Sequence, residues 1–196
     1  MILEGVVTTV GPDGVVNIKP MGPTVDTDMR RLVLRPFRTS LTYRNLVHLG
    51  EGVLHVTDDV LLLAKAAVNR LEPPPPLRPA EHVQGWILSD ACSYYEFRVL
   101  SRDDSGERVR LEAEVVHAGR HRDFFGFNRA KHAVLEAAIL ATRTHLLPLP
   151  DIEAEYRKLA AIVDKTGGPA ERDAFAFLQA YLDEQRLPAS QEPDEY

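Results

Sequence analysis

The chain has 196 residues, 44% of them hydrophobic, which is enough to build the core of one domain or of one domain with a helical appendage. Its formal net charge of -6 argues against a general binder of nucleic acids or anionic membranes. Cys92 is the single cysteine, which excludes a disulfide framework and a zinc site built on cysteines.

The amino-terminal sequence, MILEGVVTTV, has neither the basic segment nor the long apolar run of a secretory signal peptide. No later stretch approaches the ~18 consecutive apolar residues that a membrane-spanning helix needs. We therefore expect a cytoplasmic protein that has neither a membrane nor a nucleic acid as its partner.

The first part of the chain predicts a β-hairpin and a third strand. Residues 2–10 and 14–20 alternate apolar and polar side chains around a Gly-Pro-Asp-Gly turn. Prolines then stand on both sides of Gly22, a residue that can take positive φ, so we expect the chain to leave the ladder there. The next strand is predicted over residues 31–37.

A short helix over residues 39–49, a strand over 53–56 and a second helix over 59–71 are predicted next. The helix over 59–71 contains the largely apolar stretch VLLLAKAAV, in which Lys65 is the one charged residue. A run of four prolines then predicts a stiff surface connection over residues 72–82.

Residues 86–100 and 107–118 alternate again around an Asp-Asp-Ser-Gly turn, which indicates a long antiparallel hairpin. A sheet of about six strands with one or two covering helices fits a small closed or split barrel. This pattern predicts a mainly β protein with added helices, in the α+β class.

The last part of the chain predicts helices. An alanine-rich helix is expected over 128–147, an amphipathic helix over 151–166, and a final helix from Pro169. We divide the chain into a barrel domain (1–125), a helical appendage packed on it (126–187) and a polar, disordered tail (188–196).

The helix predicted from residue 39 begins with side chains that can hold an anion. Its hydroxyl and amide groups are at Thr39, Ser40, Thr42 and Asn45. Together with the free backbone N–H groups of a helix start, they suit a phosphate. An ordinary N-cap followed by solvated polar residues explains the same pattern, and the nearby Arg35 and Arg38 favour the phosphate.

Three segments occur in a recognisable order: Asn17, Pro20, Met21 and Gly22; then the polar helix start; then a strand from Val53. This order resembles the FMN-binding split-barrel superfamily of flavin reductases and pyridoxamine-phosphate-oxidase-like proteins. The chain looks most like the DUF447 family, because the alanine-rich helix after Phe127 resembles the helix that follows the barrel in that family. The resemblance covers roughly residues 2–146 and implies an FMN-binding split β-barrel with a C-terminal helical appendage.

The resemblance also implies a cofactor, its ligands and an assembly. FMN would bind non-covalently at the interface of a homodimer. Its flavin ring would lie near Asn17, Met21 and Gly22, and its phosphate near Arg38, Thr39, Ser40, Thr42 and Asn45. Arg129 opens a predicted helix, where a cation is electrostatically unfavourable, so it would pair with a carboxylate or with the ligand's anion.

The expected activity is that of an oxidoreductase which passes hydride or electrons through FMN to a small-molecule substrate. No residue is identified as catalytic. Two other functions stay open at this point. One is a non-catalytic flavin-binding module for storage or sensing, and the other is an enzyme that uses a deazaflavin or acts on a pterin-linked one-carbon compound.

The remaining candidate residues have ordinary structural explanations. His55 is expected to be a satisfied or exposed strand histidine, and Cys92 a buried structural thiol. No metal site is expected, because the other histidines that we considered lack metal-ligand spacing on a common face: His117, His121, His132 and His145.

Overall fold

The computed structural model of the protein describes residues 1–106 and 108–186. These residues form nine strands and five helices. The strands are β1 (Gly5–Val10), β2 (Val16–Met21), β3 (Thr24–Val25), β4 (Arg31–Leu34), β5 (Glu51–Val56), β6 (Leu77–Pro79), β7 (Trp86–Leu88), β8 (Ser93–Asp103) and β9 (Arg110–Arg120). The helices are α1 (Leu41–Leu49), α2 (Val60–Ala67), α3 (Arg129–Ala141), α4 (Leu149–Thr166) and α5 (Pro169–Arg186).

Seven of the described strands form one antiparallel sheet in the order β2-β1-β5-β8-β9-β4-β3, and β6 pairs with β7 in a second, small sheet. The two longest strands, β8 and β9, form the predicted hairpin. Its register shifts beside Glu96, which lies opposite His117, so that Val116 is the extra residue of a β-bulge. The mainly β architecture with added helices is confirmed.

Strand β2 continues through Pro20, which lies opposite Val6 in the ladder. The strand ends at Met21, so the chain leaves the ladder directly before Gly22, as expected. Because β2 is an edge strand, the missing N–H of a proline costs no central hydrogen bond. Gly22 does not have the expected positive φ. Its small size matters instead, since a Cβ there would lie 2.9 Å from Cγ2 of Ile2.

The predicted strand over 86–100 is interrupted. Residues 89–92 turn away between β7 and β8, and the Ser89 and Cys92 N–H groups donate to Pro76 and Val56 respectively. Strand β7 pairs with β6, which lies inside the segment expected to be a plain connection. A turn without glycine or proline gave no signal that could separate these two strands.

The seven-stranded sheet uses its two faces differently. One carries the main hydrophobic core, in which the ring of Phe97 lies so close to Gly52 that a Cβ there would be 2.7 Å from Cζ. The other face of β5 and β8 presents Val53 and Tyr94, which cluster with Val83 and Ile87 of the β6–β7 segment. This segment therefore covers the second face of the sheet.

The chain divides into two compact units. The first, which we call the sheet unit, consists of residues 1–59 and 71–125. The second, the helical unit, consists of residues 60–70 together with the chain from residue 126. The apolar helix α2 belongs to the helical unit. The domain boundary after residue 125 stays a prediction. The predicted tail over 188–196 lies outside the described residues.

The helical unit is built on the small residues of α3. Its alanines are buried, and the Tyr156 hydroxyl of α4 donates a 2.6 Å hydrogen bond to the Ala137 carbonyl. Asn128 caps α3 with its side-chain oxygen, which accepts from the Ala130 and Lys131 N–H groups. The helix ends at Ala141, earlier than predicted, and turns occupy the following residues up to Pro148.

None of the helices within residues 1–106 and 108–186 combines the length and the apolar character needed to cross a lipid bilayer.

Candidate functional site

The start of α1 is organised by Ser40. Its hydroxyl accepts a hydrogen bond from the Tyr43 N–H at 3.2 Å and donates one to the Phe37 carbonyl at 2.7 Å. Ser40 is thus the N-cap, and the helix itself begins at Leu41. The first N–H groups of a helix have no intrahelical acceptor, so the Leu41 and Thr42 amides are donors at the positive end of the helix dipole.

A cavity of about 520 Å³ lies beside this helix start. Its lining residues are Phe37, Arg38, Thr39, Ser105 and Gly106. The first three precede the N-cap, and the other two come from the turn between β8 and β9. The volume lies within the roughly 300–1,000 Å³ range of small-molecule sites. The cavity therefore brings together a helix start and the tip of the long hairpin.

Positive charge predominates around the cavity among the described residues. Arg38 and Arg102 both face Asp104, with nitrogen–oxygen distances of 3.9 and 3.4 Å. A third guanidinium, that of Arg108, lies 4.3 Å from the centroid of the Phe37 ring. Asp103 also accepts from the Ser105 N–H at 3.1 Å, so three guanidiniums meet two carboxylates around the cavity. The excess of positive charge among these described residues favours a small anion.

Three of the predicted ligands form a buried network instead of lining the cavity. The Asn17 amide donates to the hydroxyls of Thr9 and Thr42 at 3.2 and 3.0 Å, and the Asn45 amide donates to Thr9 at 3.1 Å. The Asn45 side-chain oxygen has no hydrogen-bond partner among the described residues. This network ties α1 to the β1–β2 hairpin through side chains that are almost fully buried.

The other predicted ligands lie in separate places. Met21 is half-buried at the end of β2 and packs against the main core. Gly22 is covered by the amino-terminal segment at Ile2. Arg129 is exposed at the first position of α3, in the helical unit. Of the predicted set, Arg38, Thr39 and Ser40 are therefore the residues that the structure gathers at the cavity and the helix start.

Sequence reasoning missed the contribution of the β8–β9 turn. Ser105 and Gly106 line the cavity, and Arg102 and Arg108 flank it. The sequence predicted this hairpin and its turn. It could not predict that the turn lies beside α1, because that position depends on the pairing of β9 with β4.

His55 and Cys92 have the structural roles that were expected. The Nδ1–H of His55 donates to the Val6 carbonyl and its Nε2 accepts from the Leu88 N–H, both at 3.0 Å, and burial lowers the pKa of the ring to about 4. Burial raises the pKa of the Cys92 thiol, which opposes formation of a nucleophilic thiolate. Both residues are buried parts of the fold.

Comparison with protein families identifies the chain. The family model described as "Protein of unknown function (DUF447) N-terminal domain" matches residues 3–122, and a second model, "Protein of unknown function (DUF447)", matches residues 128–180. The chain belongs to the DUF447 family. The resemblance inferred from the sequence is thereby confirmed. No curated protein matches this DUF447 chain in sequence.

Solved structures share the fold of this DUF447 protein. An FMN-bound DUF447-family protein from Methanosarcina mazei is 22% identical, with a TM-score of 0.81 over 92% of this chain and 94% of that one. A 2-nitrobenzoate 2-nitroreductase from Pseudomonas fluorescens is 16% identical, with a TM-score of 0.52 over 60% and 64%. An FMN-binding protein from Thermus thermophilus with bound p-hydroxybenzaldehyde is 17% identical, with a TM-score of 0.51 over 64% and 75%. The predicted split-barrel fold is confirmed.

Proposed function

We propose that this DUF447 protein binds FMN non-covalently, with the phosphate at the start of α1. The observation that carries the proposal is the cavity whose wall includes Arg38 and Thr39, directly before the N-cap Ser40. A guanidinium, a hydroxyl and free helix N–H groups are the donors that a phosphate dianion accepts from. The FMN-bound family member with the same fold supports this choice of ligand.

The buried network has a positioning role in this proposal. Asn17, Thr42 and Asn45 hold the first turns of α1 against β1 and β2, so the helix N–H groups are fixed in direction before a ligand arrives. Met21 and Gly22, at the end of the same β2 strand, are proposed to flank the flavin ring. Arg129 is proposed to pair with an anionic group of the ligand or with a carboxylate.

The proposed activity is that of an oxidoreductase. Bound FMN would supply a ring that exchanges either a hydride or single electrons with a small-molecule substrate. The chain's own residues would bind and orient the cofactor. Arg38 balances the charge of the phosphate, while Phe37 presents an aromatic ring that is 51% exposed at the cavity. Relatedness in fold to a nitroreductase supports redox chemistry of this general class.

We further propose a homodimer with FMN at the subunit interface. The first unit exposes large apolar side chains whose burial would stabilise an interface. They include Ile2, Val15, Phe37, Leu100, Phe124 and Phe125, the last of which is 87% exposed. Phe37 also lines the cavity, so a second subunit that covered it would close the proposed site.

The cofactor proposal is tested on the protein as purified. Visible absorbance reveals a bound flavin, and chromatography of the compound released by denaturation separates FMN from FAD and from a deazaflavin. We expect FMN in the eluate. FAD or a deazaflavin alone, or no uptake of added FMN by the colourless protein, would contradict the proposal. Stopped-flow reduction by NADH or NADPH then distinguishes a reductase from a module that only binds flavin.

A further inference from the structure

Two histidines and a glutamate meet on the sheet unit, away from the residues assigned to FMN. They are Glu81 and His82, in the loop between β6 and β7, and His117 of β9. One potential ligand atom from each lies within 4.8 Å of the others. The two imidazole rings stack with centroids 4.3 Å apart, and His117 Nε2 is 4.0 Å from a Glu81 carboxylate oxygen.

A buried carboxylate fixes the loop that carries two of these side chains. Glu96 of β8 is fully buried, and its two oxygens accept from the backbone N–H groups of Glu81, His82 and Val83 at 3.1, 2.6 and 3.1 Å. Burial of a carboxylate is costly unless its oxygens are hydrogen-bonded. Three N–H donors meet that requirement, and at the same time they hold the loop in one conformation.

A charged pair, Arg98 and Glu51, also holds this loop. The Arg98 guanidinium donates to the His82 carbonyl at 2.7 Å and pairs with Glu51 at 2.8 Å. Glu51 in turn accepts from the Gln84 N–H at 2.7 Å. Side chains of β5 and β8 therefore anchor the loop through its backbone on both sides of His82. This leaves the Glu81 and His82 side chains, which are both exposed, available for a ligand.

His117 reaches the loop because of its place in the hairpin. It lies directly opposite Glu96, and in an antiparallel ladder opposite residues project from the same face of the sheet. The β-bulge at Val116 adjoins this pair, and bulges commonly change the direction of a neighbouring side chain. The pairing of β8 with β9 therefore places both Glu96, which fixes the loop, and His117, which faces it.

We propose that Glu81, His82 and His117 bind one borderline divalent cation of the zinc class. Two imidazoles and a carboxylate are a ligand set that zinc favours, and three protein ligands leave a position for water. Ligand atoms around tetrahedral zinc lie roughly 3.3 Å apart, given bonds of about 2.0–2.1 Å. The Glu81 and His82 side chains are exposed, so they can rotate towards that spacing while the loop backbone stays fixed.

One neighbouring cation opposes the metal and supplies an internal test. Arg78 lies 3.5 Å from the Glu81 carboxylate, and its guanidinium also stacks on the Tyr94 ring at 4.9 Å. A bound cation would compete with Arg78 for Glu81. Replacing Arg78 by Gln should therefore strengthen metal binding, whereas a purely structural histidine pair would not respond to this change.

The proposal departs from the expectation of no metal site, which considered only sequence spacing. His82 and His117 are 35 positions apart and belong to a loop and a strand, so spacing along the chain carried no signal for their meeting. The proposal is also independent of the flavin. The three residues are absent from the lining of the cavity beside α1.

The test is a calorimetric titration of the untagged, chelator-treated protein with Zn²⁺ alone. We expect one Zn²⁺ per chain. His82→Ala and His117→Ala should each weaken binding by at least about tenfold, because even the loss of groups that only orient ligands costs about 10–100-fold. Glu81→Gln should weaken it and Arg78→Gln strengthen it. The matched control is His145→Ala, which removes an exposed histidine elsewhere and should leave the affinity unchanged.

Circular dichroism establishes that each variant is folded. If His117→Ala unfolds, His82→Ala still decides the test, because His82 lies at an exposed loop position. Titration with Co²⁺ gives a second readout, since its visible bands report nitrogen and oxygen ligands and should vanish in both histidine variants. The proposal is overturned if the wild-type protein takes up no Zn²⁺, or if His82→Ala binds it as tightly as His145→Ala does.

Discussion

His55 lies inside the sheet unit with both ring nitrogens engaged. Nδ1–H donates to the Val6 carbonyl of β1, and Nε2 accepts from the Leu88 N–H of β7. A second proton would leave Nε2 without acceptor capacity and would place a charge on a side chain that has no exposed surface. The fold therefore selects the neutral ring, which is why the pKa of His55 falls to about 4.

This selection predicts a pH dependence of stability. The pKa of His55 is about 4 in the folded chain and 6.5 for an ordinary histidine, so between these values the unfolded chain binds more protons. The contribution of His55 to the free energy of unfolding is fully present above pH 6.5 and is lost as the pH falls towards about 4. The loss from this residue amounts to roughly 3 kcal/mol. Urea unfolding at a series of pH values measures it.

His55→Gln is the informative variant, because glutamine offers a donor and an acceptor but does not titrate. We expect its stability to depend less on pH across that interval than the stability of the wild-type protein. His145→Gln, at an exposed position, should retain the wild-type pH dependence. Identical slopes for His55→Gln and the wild-type protein would show that His55 is not the residue responsible.

Local sequence patterns predicted the roles of some single residues but not their contact partners. Strand alternation was enough to assign His55 and Cys92 to structural roles. It could not identify Leu88 as a partner of His55, because that contact depends on β7 lying across the sheet. For the same reason the contact between the Asn17 amide and Thr42, 25 positions away, was not predicted. The placement of Asn17 beside a ligand stays a prediction.

At the scale of elements, a buried polar network joins α1 to the β1–β2 hairpin. Thr9 is its centre, since its hydroxyl accepts from the amides of both Asn17 and Asn45. Thr9→Val preserves the shape of the side chain but removes this acceptor. Each buried donor that is left without a partner costs about 1–3 kcal/mol, so we expect the loss of both to lower the stability by about 2–6 kcal/mol. Urea denaturation gives the difference.

Thr24→Val is the matched control, because Thr24 is an exposed threonine of strand β3. Its effect should stay within about 0.5 kcal/mol, as for most surface substitutions. Equal midpoints of unfolding for the two variants would mean that the network contributes nothing to the attachment of α1.

Elements with strong local signals were predicted well, and those that depend on tertiary pairing were not. The amphipathic pattern of α4 and the hairpin β8–β9 follow from periodicity within one segment. The break between β7 and β8 does not, because its turn residues, 89–92, include neither glycine nor proline. The grouping of α2 with the later helices was likewise outside the reach of local pattern.

At the scale of the whole molecule, the proposed homodimer is tested by sedimentation. The exposed aromatic side chains of the first unit are the observation behind it. Analytical ultracentrifugation at micromolar concentration should show a species near twice the 21.9 kDa chain mass. Phe125→Ser and Phe124→Ser should shift that species towards the monomer. A wild-type protein that sediments as a monomer with FMN bound would contradict an interfacial site.

We expect the start of α1 to hold the phosphate of FMN. Comparing the binding of FMN with that of riboflavin, which lacks this phosphate, tests the expectation. Arg38→Ala is compared with Arg31→Ala. The two arginines are matched, with side chains 57% and 60% exposed and a carboxylate 3.9 Å away in each case.

Fluorescence titration gives both affinities for each protein. A hydrogen bond to a charged group contributes about 1.5–3 kcal/mol, so Arg38→Ala should weaken FMN binding by about tenfold or more. It should leave riboflavin binding unchanged, and Arg31→Ala should alter neither ligand. Phosphate binding at the start of α1 is contradicted if Arg38→Ala weakens FMN and riboflavin binding equally, or if the wild-type protein binds the two ligands with the same affinity.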